Sequence, residues 1–396
     1  MTTITPSVTG EVDAWVKELG ATGSPVIALT TGEAIRNTPE HIVEAAVAAC
    51  RSERLHRYTP PAGLPELREA IAAKTARDSG REVTADEVVV TSGVRQALSE
   101  ALVAILDPGD EVLLPAPYWP TYPVEVRLAG GRAVTVPAAM ANDFKVTVDQ
   151  LESATSRRTK ALLLCSPCNP TGAVYSPQEL RAITEWAADE DLWVITDEIY
   201  EHLVYGSAVA STPPALVPTA SDRCIVLNSV SKAHAMSGWR VGWLIGPSRL
   251  VGAVSALQSH ATSHASNVAQ AAALAALEGG LASVEAMTAD LDRRRLRLCG
   301  SLAELPGVEV VEPSGAFYAF PSVDACLGGV LAGRAMRTTL ELSSVLLQHG
   351  GVAVVPGEVF GRVGHLRISF ALPDGVLEEG IARLARSFEE ISRPSS

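Results

Sequence analysis

Short apolar segments alternate with helical patterns from residue 88 onward, and this alternation limits the possible folds more than any other feature of the chain. The predicted strands are 88–91, 111–114, 161–165, 192–196 and 224–227, and the predicted helices include 94–105 and 177–190. Strands that alternate with helices form a mainly parallel sheet that is covered by helices on both faces. We therefore expect an α/β fold.

Polar residues follow the predicted strands at the points where the strands end. Ser92-Gly93 follows the first strand, Asn169 comes shortly after the third, Asp197 follows the fourth and Ser229 follows the fifth. Ligands of open α/β sheets bind beyond the carboxyl ends of the strands. These residues are therefore expected to border one site.

Lys232 ends the sequence Ser229-Val-Ser-Lys232 just after the last of these strands, and Arg240 follows on the same short connection. A lysine amine becomes a nucleophile when burial or a neighbouring cation lowers its pKa, and its characteristic partner is an aldehyde, above all pyridoxal phosphate. Taken alone, such a short motif is more commonly a turn with a solvated lysine. Ser229 and Arg240 are candidates for binding the cofactor phosphate.

Segments along nearly the whole chain share a pattern with one enzyme family. They are Thr31-Gly-Glu33, Tyr58 to Arg68, Asn169-Pro-Thr-Gly172, Thr196 to Tyr200, Ser229 to Gly242, Ser314 to Tyr318 and Leu366 to Phe370. These segments resemble the fold-type I, class I and II pyridoxal-phosphate aminotransferases, and within them the bacterial aspartate aminotransferase subgroup. The resemblance implies a large cofactor-binding domain at 46–280, and a smaller α+β domain formed by 281–396 with the N-terminal arm and first part at 1–45.

The resemblance also implies how the cofactor ring is bound. Lys232 would hold the aldehyde as a Schiff base, and Asp197 would pair with the ring nitrogen and keep the ring an electron sink. Tyr200 and Asn169 would bind the phenolate oxygen, and Trp119 would stack on the ring face. Without the resemblance, we would interpret Asp197 as the N-cap of a following helix, and Trp119 as a core residue or a residue that anchors a loop.

The cofactor phosphate is expected at the start of the helix at 94–105. Free backbone N–H groups at a helix N-terminus, together with the helix dipole, favour an anion there. The residues expected to bind the phosphate are Gly93, Val94, Arg95, Ser229 and Arg240. The resemblance implies a homodimer and adds the partner's Tyr58 to this set. Without the resemblance, we would interpret Tyr58 as a tyrosine whose ring packs under its own loop.

Arg367 interrupts a strand pattern with a cation, which a buried strand tolerates only when the charge is paired. Its planar guanidinium suits the α-carboxylate of an amino acid. The resemblance adds Gly32, Asn169 and Trp119 to this substrate site. Arg95 occupies the position at which aspartate-specific relatives carry a lysine that binds the side-chain carboxylate of the substrate, called the distal carboxylate below. A cation at this position favours aspartate or glutamate as the substrate. Alternatively, Arg95 could contribute to binding the cofactor phosphate.

The predicted reaction moves an amino group between an L-amino acid and a 2-oxo acid such as 2-oxoglutarate. The catalytic residues are expected to be Lys232, which moves the Cα proton as general acid and base, with Asp197 and Tyr200 tuning the cofactor. One oxo acid leaves before the next enters, which gives ping-pong kinetics.

Two departures from the family pattern leave other reactions open. They are Ala34-Ile35-Arg36 near the expected substrate entrance and His264-Ala265 in a loop that, in relatives, approaches the cofactor phosphate of the partner subunit. The alternatives are elimination, oxidation or cyclisation of a non-acidic amino acid, or transamination of an aromatic or basic one. A non-catalytic relative is disfavoured because Lys232, Asp197 and Arg367 are all present.

Composition excludes several classes of function. The net charge of −13 argues against a nucleic-acid partner. No apolar run approaches the ~20 residues that span a bilayer, and no signal-peptide pattern opens the chain, so we expect no membrane association and a cytoplasmic location. The cysteines lie mostly in apolar segments, which suits reduced core residues, and Cys165-Ser-Pro-Cys168 lacks the further ligands that a metal site needs.

Two local expectations concern helices. Thr38 precedes Pro39 and Glu40, which predicts a helix with Thr38 as the N-cap and proline in the first turn. The cluster Arg293-Arg-Arg295 with Arg297 predicts a solvated helix face.

Overall fold

The computed structural model describes residues 26–392. The sequence of residues 12–19 predicts an amphipathic segment in the N-terminal arm, and this segment lies outside the described residues. In chain order the strands are β1 (Ile27–Ala28), β2 (Val88–Thr91), β3 (Glu111–Ala116), β4 (Arg132–Pro137), β5 (Thr159–Cys165), β6 (Trp193–Asp197), β7 (Cys224–Ser229), β8 (Gly242–Ile245), β9 (Tyr318–Ala319), β10 (Val330–Leu331), β11 (Arg334–Ala335), β12 (Val352–Ala353), β13 (Val355–Pro356) and β14 (Leu366–Ser369). The α-helices are Glu40–Cys50, Pro65–Ser79, Val94–Ile105, Thr121–Leu128, Val148–Ala154, Pro177–Asp189, Pro213–Leu216, Ser248–Ala261, Asn267–Glu278, Ala282–Ala303, Thr339–Gln348 and Asp374–Glu389. Within this part of the chain no helix is both long and apolar enough to cross a membrane.

The central sheet has seven strands in the order β2-β8-β7-β6-β5-β3-β4. The strands from β3 to β7 pair in parallel, whereas β8 is antiparallel to both β2 and β7. The predicted mainly parallel α/β sheet is therefore confirmed. β8 reverses direction because no crossover helix separates it from β7, and a parallel return would require one.

Apolar side chains cover both faces of this sheet. On one face Leu98 of the helix Val94–Ile105 belongs to a core cluster with Leu227, and on the other Leu67 of the helix Pro65–Ser79 belongs to a cluster with Val226. Val226 and Leu227 are neighbours on β7, and successive strand residues point to opposite faces. All residues of β6 and β7 are buried, as a sheet covered on both sides requires.

The two ends of the described chain share a second core. β1 pairs in parallel with β12, and β13, β14 and β9 form an antiparallel sheet. Leu29 packs in one cluster with Leu291 of the helix Ala282–Ala303 and Leu377 of the helix Asp374–Glu389. This arrangement agrees with an α+β unit built from both ends, while the domain boundaries themselves stay a prediction.

One local prediction is wrong and another holds only in part. The first helix begins at Glu40 with Pro39 as its N-cap, and the Thr38 hydroxyl donates instead to the carbonyl oxygen of Ala235 at 2.8 Å. The predicted solvated arginine face includes the exposed Arg293 and Arg297. Arg295 is buried: it pairs with Asp292 at 2.7 Å, and its guanidinium lies over the ring of Tyr205.

Candidate active site

A cavity of about 460 Å³ lies beyond the carboxyl ends of β5, β6 and β7. The residues that line it are Thr30, Gly32, Val94, Arg95, Trp119, Tyr122, Cys165, Asn169, Asp197, Ile199, Tyr200, Ser231, Lys232, Ser237, Arg240, Tyr318 and Arg367. Most residues that the sequence singled out are therefore in one place, as expected for a ligand site at this edge of an α/β sheet. Gly93, Ser229 and Tyr58 are not part of the lining.

Lys232 lies on the connection that leaves β7, and its Nζ donates to the carbonyl oxygen of Gly32 at 2.7 Å. Burial lowers the pKa of this amine to about 8, and the positive charges of Arg240 and Arg367 act in the same direction against Glu33 and Asp197. At pH 7 about a tenth of the amine is therefore neutral and nucleophilic, far more than for a lysine with the usual pKa.

Asp197 ends β6 and is buried at the floor of the cavity. Its Oδ2 accepts a hydrogen bond from Tyr122 Oη at 2.8 Å, and its Oδ1 accepts one from the backbone N–H of Ile199 at 3.3 Å. Burial raises the pKa of the carboxyl to about 6, while the bonds from Tyr122 and Ile199 and the charge of Lys232 act to lower it. The group is thus mainly ionised at neutral pH and can pair with a protonated ring nitrogen.

An anion cradle forms where Arg240 meets the start of the helix Val94–Ile105. Gly93 is the N-cap residue with φ +92°, and a Cβ there would collide with the Arg240 guanidinium. Arg240 Nη1 donates to the carbonyl oxygen of Ser237 at 2.8 Å, and Nη2 to that of Ser92 at 3.3 Å. Arg240 itself has a left-handed backbone with φ +57°, a conformation that proteins retain mainly at functional sites. The guanidinium and the free helix N–H groups suit a phosphate.

Two predicted phosphate ligands, Ser229 and Tyr58, do not line the cavity. The Ser229 hydroxyl is buried and accepts a hydrogen bond from the backbone N–H of Ser231 at 3.1 Å, so it holds the connection on which Ser231 lies. Ser231 itself lines the cavity. Tyr58 is 89% exposed, and its ring meets that of His264 edge-on at 5.9 Å. Tyr58 therefore does not reach the cavity of its own chain.

Arg367 of β14 is only 4% exposed. Its Nη1 donates to Asn169 Oδ1 at 3.0 Å and its Nη2 to the carbonyl oxygen of Thr30 at 2.8 Å, while its Cζ lies 4.5 Å from the centre of the Tyr318 ring. Its Nε is buried and finds no hydrogen-bond partner among residues 26–392. A buried cation with neutral neighbours and an unused donor is suited to a carboxylate from a ligand.

Aromatic side chains form the remaining walls. Tyr200 Oη lies 3.2 Å from Tyr318 Oη, and the Trp119 ring meets the Tyr122 ring edge-on at 5.5 Å. The guanidinium of Arg95 is placed over Trp119, 5.2 Å from the ring centre. Arg95 is exposed at the cavity entrance, where a second ligand charge would arrive.

Sequence reasoning missed several lining residues. Ser231 and Tyr318 lie inside motifs that were noted, so their signal was present although no role was assigned to them. Tyr122 follows Trp119 by one helical turn, but nothing in its local sequence indicates that its hydroxyl reaches Asp197.

These groups define a class of protein: an α/β protein whose cavity at the carboxyl edge of the sheet brings together a buried amine, a buried carboxylate and a buried guanidinium. Residues 24–384 match the family described as aminotransferase class I and II. The chain belongs to this family, and it is an enzyme of the transferase class.

Individual relatives indicate which subgroup of the family this chain resembles. The aspartate aminotransferase of Streptomyces avermitilis is 54% identical over 387 residues, which cover 98% of this chain and 95% of that protein. The structure of aspartate aminotransferase from Rhizobium meliloti has a TM-score of 0.95 at 37% identity and covers 99% of this chain and 98% of the other. That of the Thermus thermophilus aspartate aminotransferase with maleate has a TM-score of 0.91 at 40% identity and covers 97% of both. The predicted resemblance to the fold-type I aspartate aminotransferase subgroup is confirmed.

Proposed function

We propose that the protein uses pyridoxal 5′-phosphate to transfer an amino group between L-aspartate or L-glutamate and a 2-oxo acid such as 2-oxoglutarate. The observation that carries the proposal is that Lys232, Asp197 and Arg367 face one cavity from three different parts of the sequence. A nucleophilic amine, a buried carboxylate and a buried guanidinium are the groups needed to hold this cofactor and an amino acid together.

The residues present fit the cofactor. The helix N-terminus at Val94, with Ser231 and Arg240, suits its phosphate, and Asp197 suits its ring nitrogen. Asn169 and Tyr200 face the same space and can donate to the ring oxygen, and Trp119 can cover the ring. When bound, the cofactor supplies the carbonyl that takes up the amino group and a ring that withdraws electrons from the substrate Cα.

The chain supplies the proton transfers. The Lys232 amine, once the substrate amine has replaced it, would take the proton from the substrate Cα as general base and would deliver it to the former aldehyde carbon of the cofactor as general acid. Its lowered pKa of about 8 matches this double role near neutral pH. Asp197 stays ionised below it, so the ring keeps its proton.

Arg367 would bind the α-carboxylate, since Arg367 and Asn169 both line the cavity and Arg367 Nη1 holds the Asn169 side chain beside the guanidinium at 3.0 Å. Arg95 would meet the distal carboxylate of aspartate or glutamate from the entrance. Two observations support this acidic preference: the relatives named as aspartate aminotransferases, and the maleate, a dicarboxylate, that accompanies the Thermus thermophilus structure.

The active assembly is proposed to be a homodimer in which the partner's Tyr58 completes the phosphate site. The exposure of Tyr58 in a single chain supports this arrangement, because a ring left 89% exposed has a large surface available to a second copy. A cytoplasmic location is proposed as well. It agrees with the burial of four of the six cysteines, which suits core residues of a protein in a reducing compartment.

The direct test follows the two half-reactions separately. Protein reconstituted with pyridoxal phosphate is mixed with aspartate alone, and the expected result is one equivalent of oxaloacetate per site without ammonia. Later addition of 2-oxoglutarate should release glutamate and restore the starting spectrum. Free ammonia without a new amino acid would instead identify an elimination or oxidation. A reaction with aromatic or basic amino acids but not with aspartate would contradict the acidic preference.

A further inference from the structure

Tyr122, in the helix Thr121–Leu128, is buried with 2% exposure and makes the shortest hydrogen bond to the cavity carboxylate, 2.8 Å from its Oη to Asp197 Oδ2. Burial and the nearby Asp197 charge raise the pKa of the tyrosine hydroxyl well above its usual value, so the hydroxyl keeps its proton and acts as the donor.

We propose that Tyr122 is a positioning residue, which keeps the Asp197 carboxylate ionised and fixes its orientation towards the ring nitrogen of the cofactor. This inference rests on the proposed function and assigns a role to a residue outside the expected set of site residues. Tyr122 acts through Asp197 and takes no part in the proton transfers.

The contacts of Asp197 show why one hydroxyl matters. Asp197 forms no ion pair at salt-bridge distance within residues 26–392, so its ionisation depends mainly on the hydrogen bonds from Tyr122 and Ile199, with a smaller contribution from the charge of Lys232. The bond from Tyr122 holds one oxygen, and the longer bond from Ile199 holds the other. A carboxylate held on both oxygens cannot rotate freely, and a donor to the charged form favours ionisation.

The ring of Tyr122 has a second, separable task. Trp119 meets it edge-on, with the ring planes at 89°, and Arg95 lies over Trp119. The same tyrosine therefore links the entrance residue Arg95 to the carboxylate at the cavity floor. Replacement by phenylalanine removes the hydroxyl and keeps the ring, so it isolates the effect on Asp197 from any effect on Trp119.

The test is a double-mutant cycle on cofactor binding to the apoprotein, which does not depend on catalysis. The variants are Tyr122→Phe, Asp197→Asn and the double variant, and the dissociation constant for pyridoxal phosphate is measured by absorbance titration. Tyr122→Phe should weaken binding by about 10- to 100-fold, the range for loss of a hydrogen bond to a charged group. In the Asp197→Asn background, Tyr122→Phe should reduce the affinity for the cofactor little further, because the carboxylate charge that accepts the hydrogen bond of Tyr122 is already absent.

The pH dependence of cofactor binding gives a second measurement, and its midpoint would not change if Tyr122 had only a structural role. Removal of a donor to the ionised form raises the pKa of Asp197 above its value of about 6, so the pH below which cofactor binding weakens should move upward by about one unit or more in Tyr122→Phe. The matched control is Tyr205→Phe, another buried tyrosine, whose hydroxyl donates to the carbonyl oxygen of Ala316 outside the cavity. It should leave both the affinity and the pH midpoint unchanged.

The kinetic expectation follows the same logic. In Tyr122→Phe, kcat for aspartate should fall about 10-fold or more while KM stays within about 3-fold, because Arg367 and Arg95 are untouched. Wild-type affinity and an unmoved pH midpoint, or losses that add in the double variant, would overturn the role of Tyr122. If the wild type binds the cofactor but does not transaminate aspartate, the proposed function fails while the binding cycle still decides the inference.

Discussion

Lys232 Nζ and the carbonyl oxygen of Gly32 are 2.7 Å apart, although 200 residues separate them in the sequence. The lysine follows the central strand β7, and the glycine follows β1 at the beginning of the described chain. The contact fixes the amine in the cavity between the two cations Arg240 and Arg367, and burial there lowers its pKa to about 8.

The first prediction concerns the pH dependence of this amine. Because the neutral amine is the reactive form, trapping of pyridoxal on the apoprotein by borohydride should rise with pH and reach half its maximum near pH 8. Peptide mass spectrometry locates the adduct and compares it with those on exposed lysines. In Lys232→Arg the component with a midpoint near 8 should disappear. A midpoint for Lys232 close to the usual lysine value of 10.5 would contradict the effect of burial.

The second prediction concerns loss of the lysine. Lys232→Ala should lower the transamination rate by about 100- to 10,000-fold or more, since both covalent attachment and general acid–base catalysis are lost. The variant should still bind the cofactor, because the cradle at Arg240 and the partner of the ring nitrogen are intact. Borohydride should fix the pyridoxyl group at residue 232 in the wild type and nowhere in the cavity of the variant. Full activity of Lys232→Ala would refute the proposed mechanism.

The sequence predicted the position of the site better than its inner contacts. The end of β2 and the bounds of the helix Val94–Ile105 agree with the apolar pattern, because a strand buried on both faces and an amphipathic helix have distinct periodicities. The parallel strands then bring Asp197 and Lys232 to the same edge of the sheet.

Other contacts depend on how distant elements pack, which no local pattern encodes. The hydroxyl of Tyr122 reaches Asp197 because the helix Thr121–Leu128 packs against β3, β4 and the helix Val94–Ile105. Ser231 rather than Ser229 faces the cavity, since the Ser229 hydroxyl is used by the backbone turn. These are matters of side-chain direction within a motif that the sequence identified correctly as a whole.

The third prediction concerns the α-carboxylate. Arg367→Ala should raise KM for every amino acid and oxo acid substrate by roughly 30-fold or more, because a buried guanidinium that binds a charge is worth several kcal/mol. Arg367→Lys should recover part of the loss, since it keeps the charge without the planar pair of donors. The control is Arg297→Ala, which removes an exposed arginine paired with Glu378 and should leave KM unchanged. A loss restricted to acidic substrates would place Arg367 at the distal carboxylate instead.

The fourth prediction separates the two roles open to Arg95. If Arg95 binds the distal carboxylate, Arg95→Ser should lower kcat/KM for aspartate about 10- to 100-fold and leave that for a neutral amino acid nearly unchanged. If Arg95 binds the cofactor phosphate instead, Arg95→Ser should lower kcat/KM for all substrates by a similar factor, and the cofactor should bind more weakly. Arg127→Ser, an exposed arginine at the end of the helix Thr121–Leu128, is the matched control and should change neither.

The fifth prediction tests whether Tyr58 acts across a dimer. Tyr58 is too exposed to serve its own cavity, so a role in phosphate binding requires the site of a second copy. Tyr58→Ala should then weaken cofactor binding, and at low cofactor concentration both this variant and Lys232→Ala should be inactive alone. When the two are mixed and allowed to exchange subunits, one site in each mixed dimer has both residues intact.

Activity at low cofactor concentration should therefore appear in the mixture, up to about half of the wild-type value per mixed dimer, because one of its two sites carries both substitutions. Sedimentation of the wild type provides the independent measure of the dimer. Mixing Lys232→Ala with Asp197→Asn is the control, since those residues lie in the same cavity and each site of a mixed dimer keeps one defect. Activity in the control mixture as well, or none in the Tyr58 mixture, would show that Tyr58 does not complete the site of another subunit.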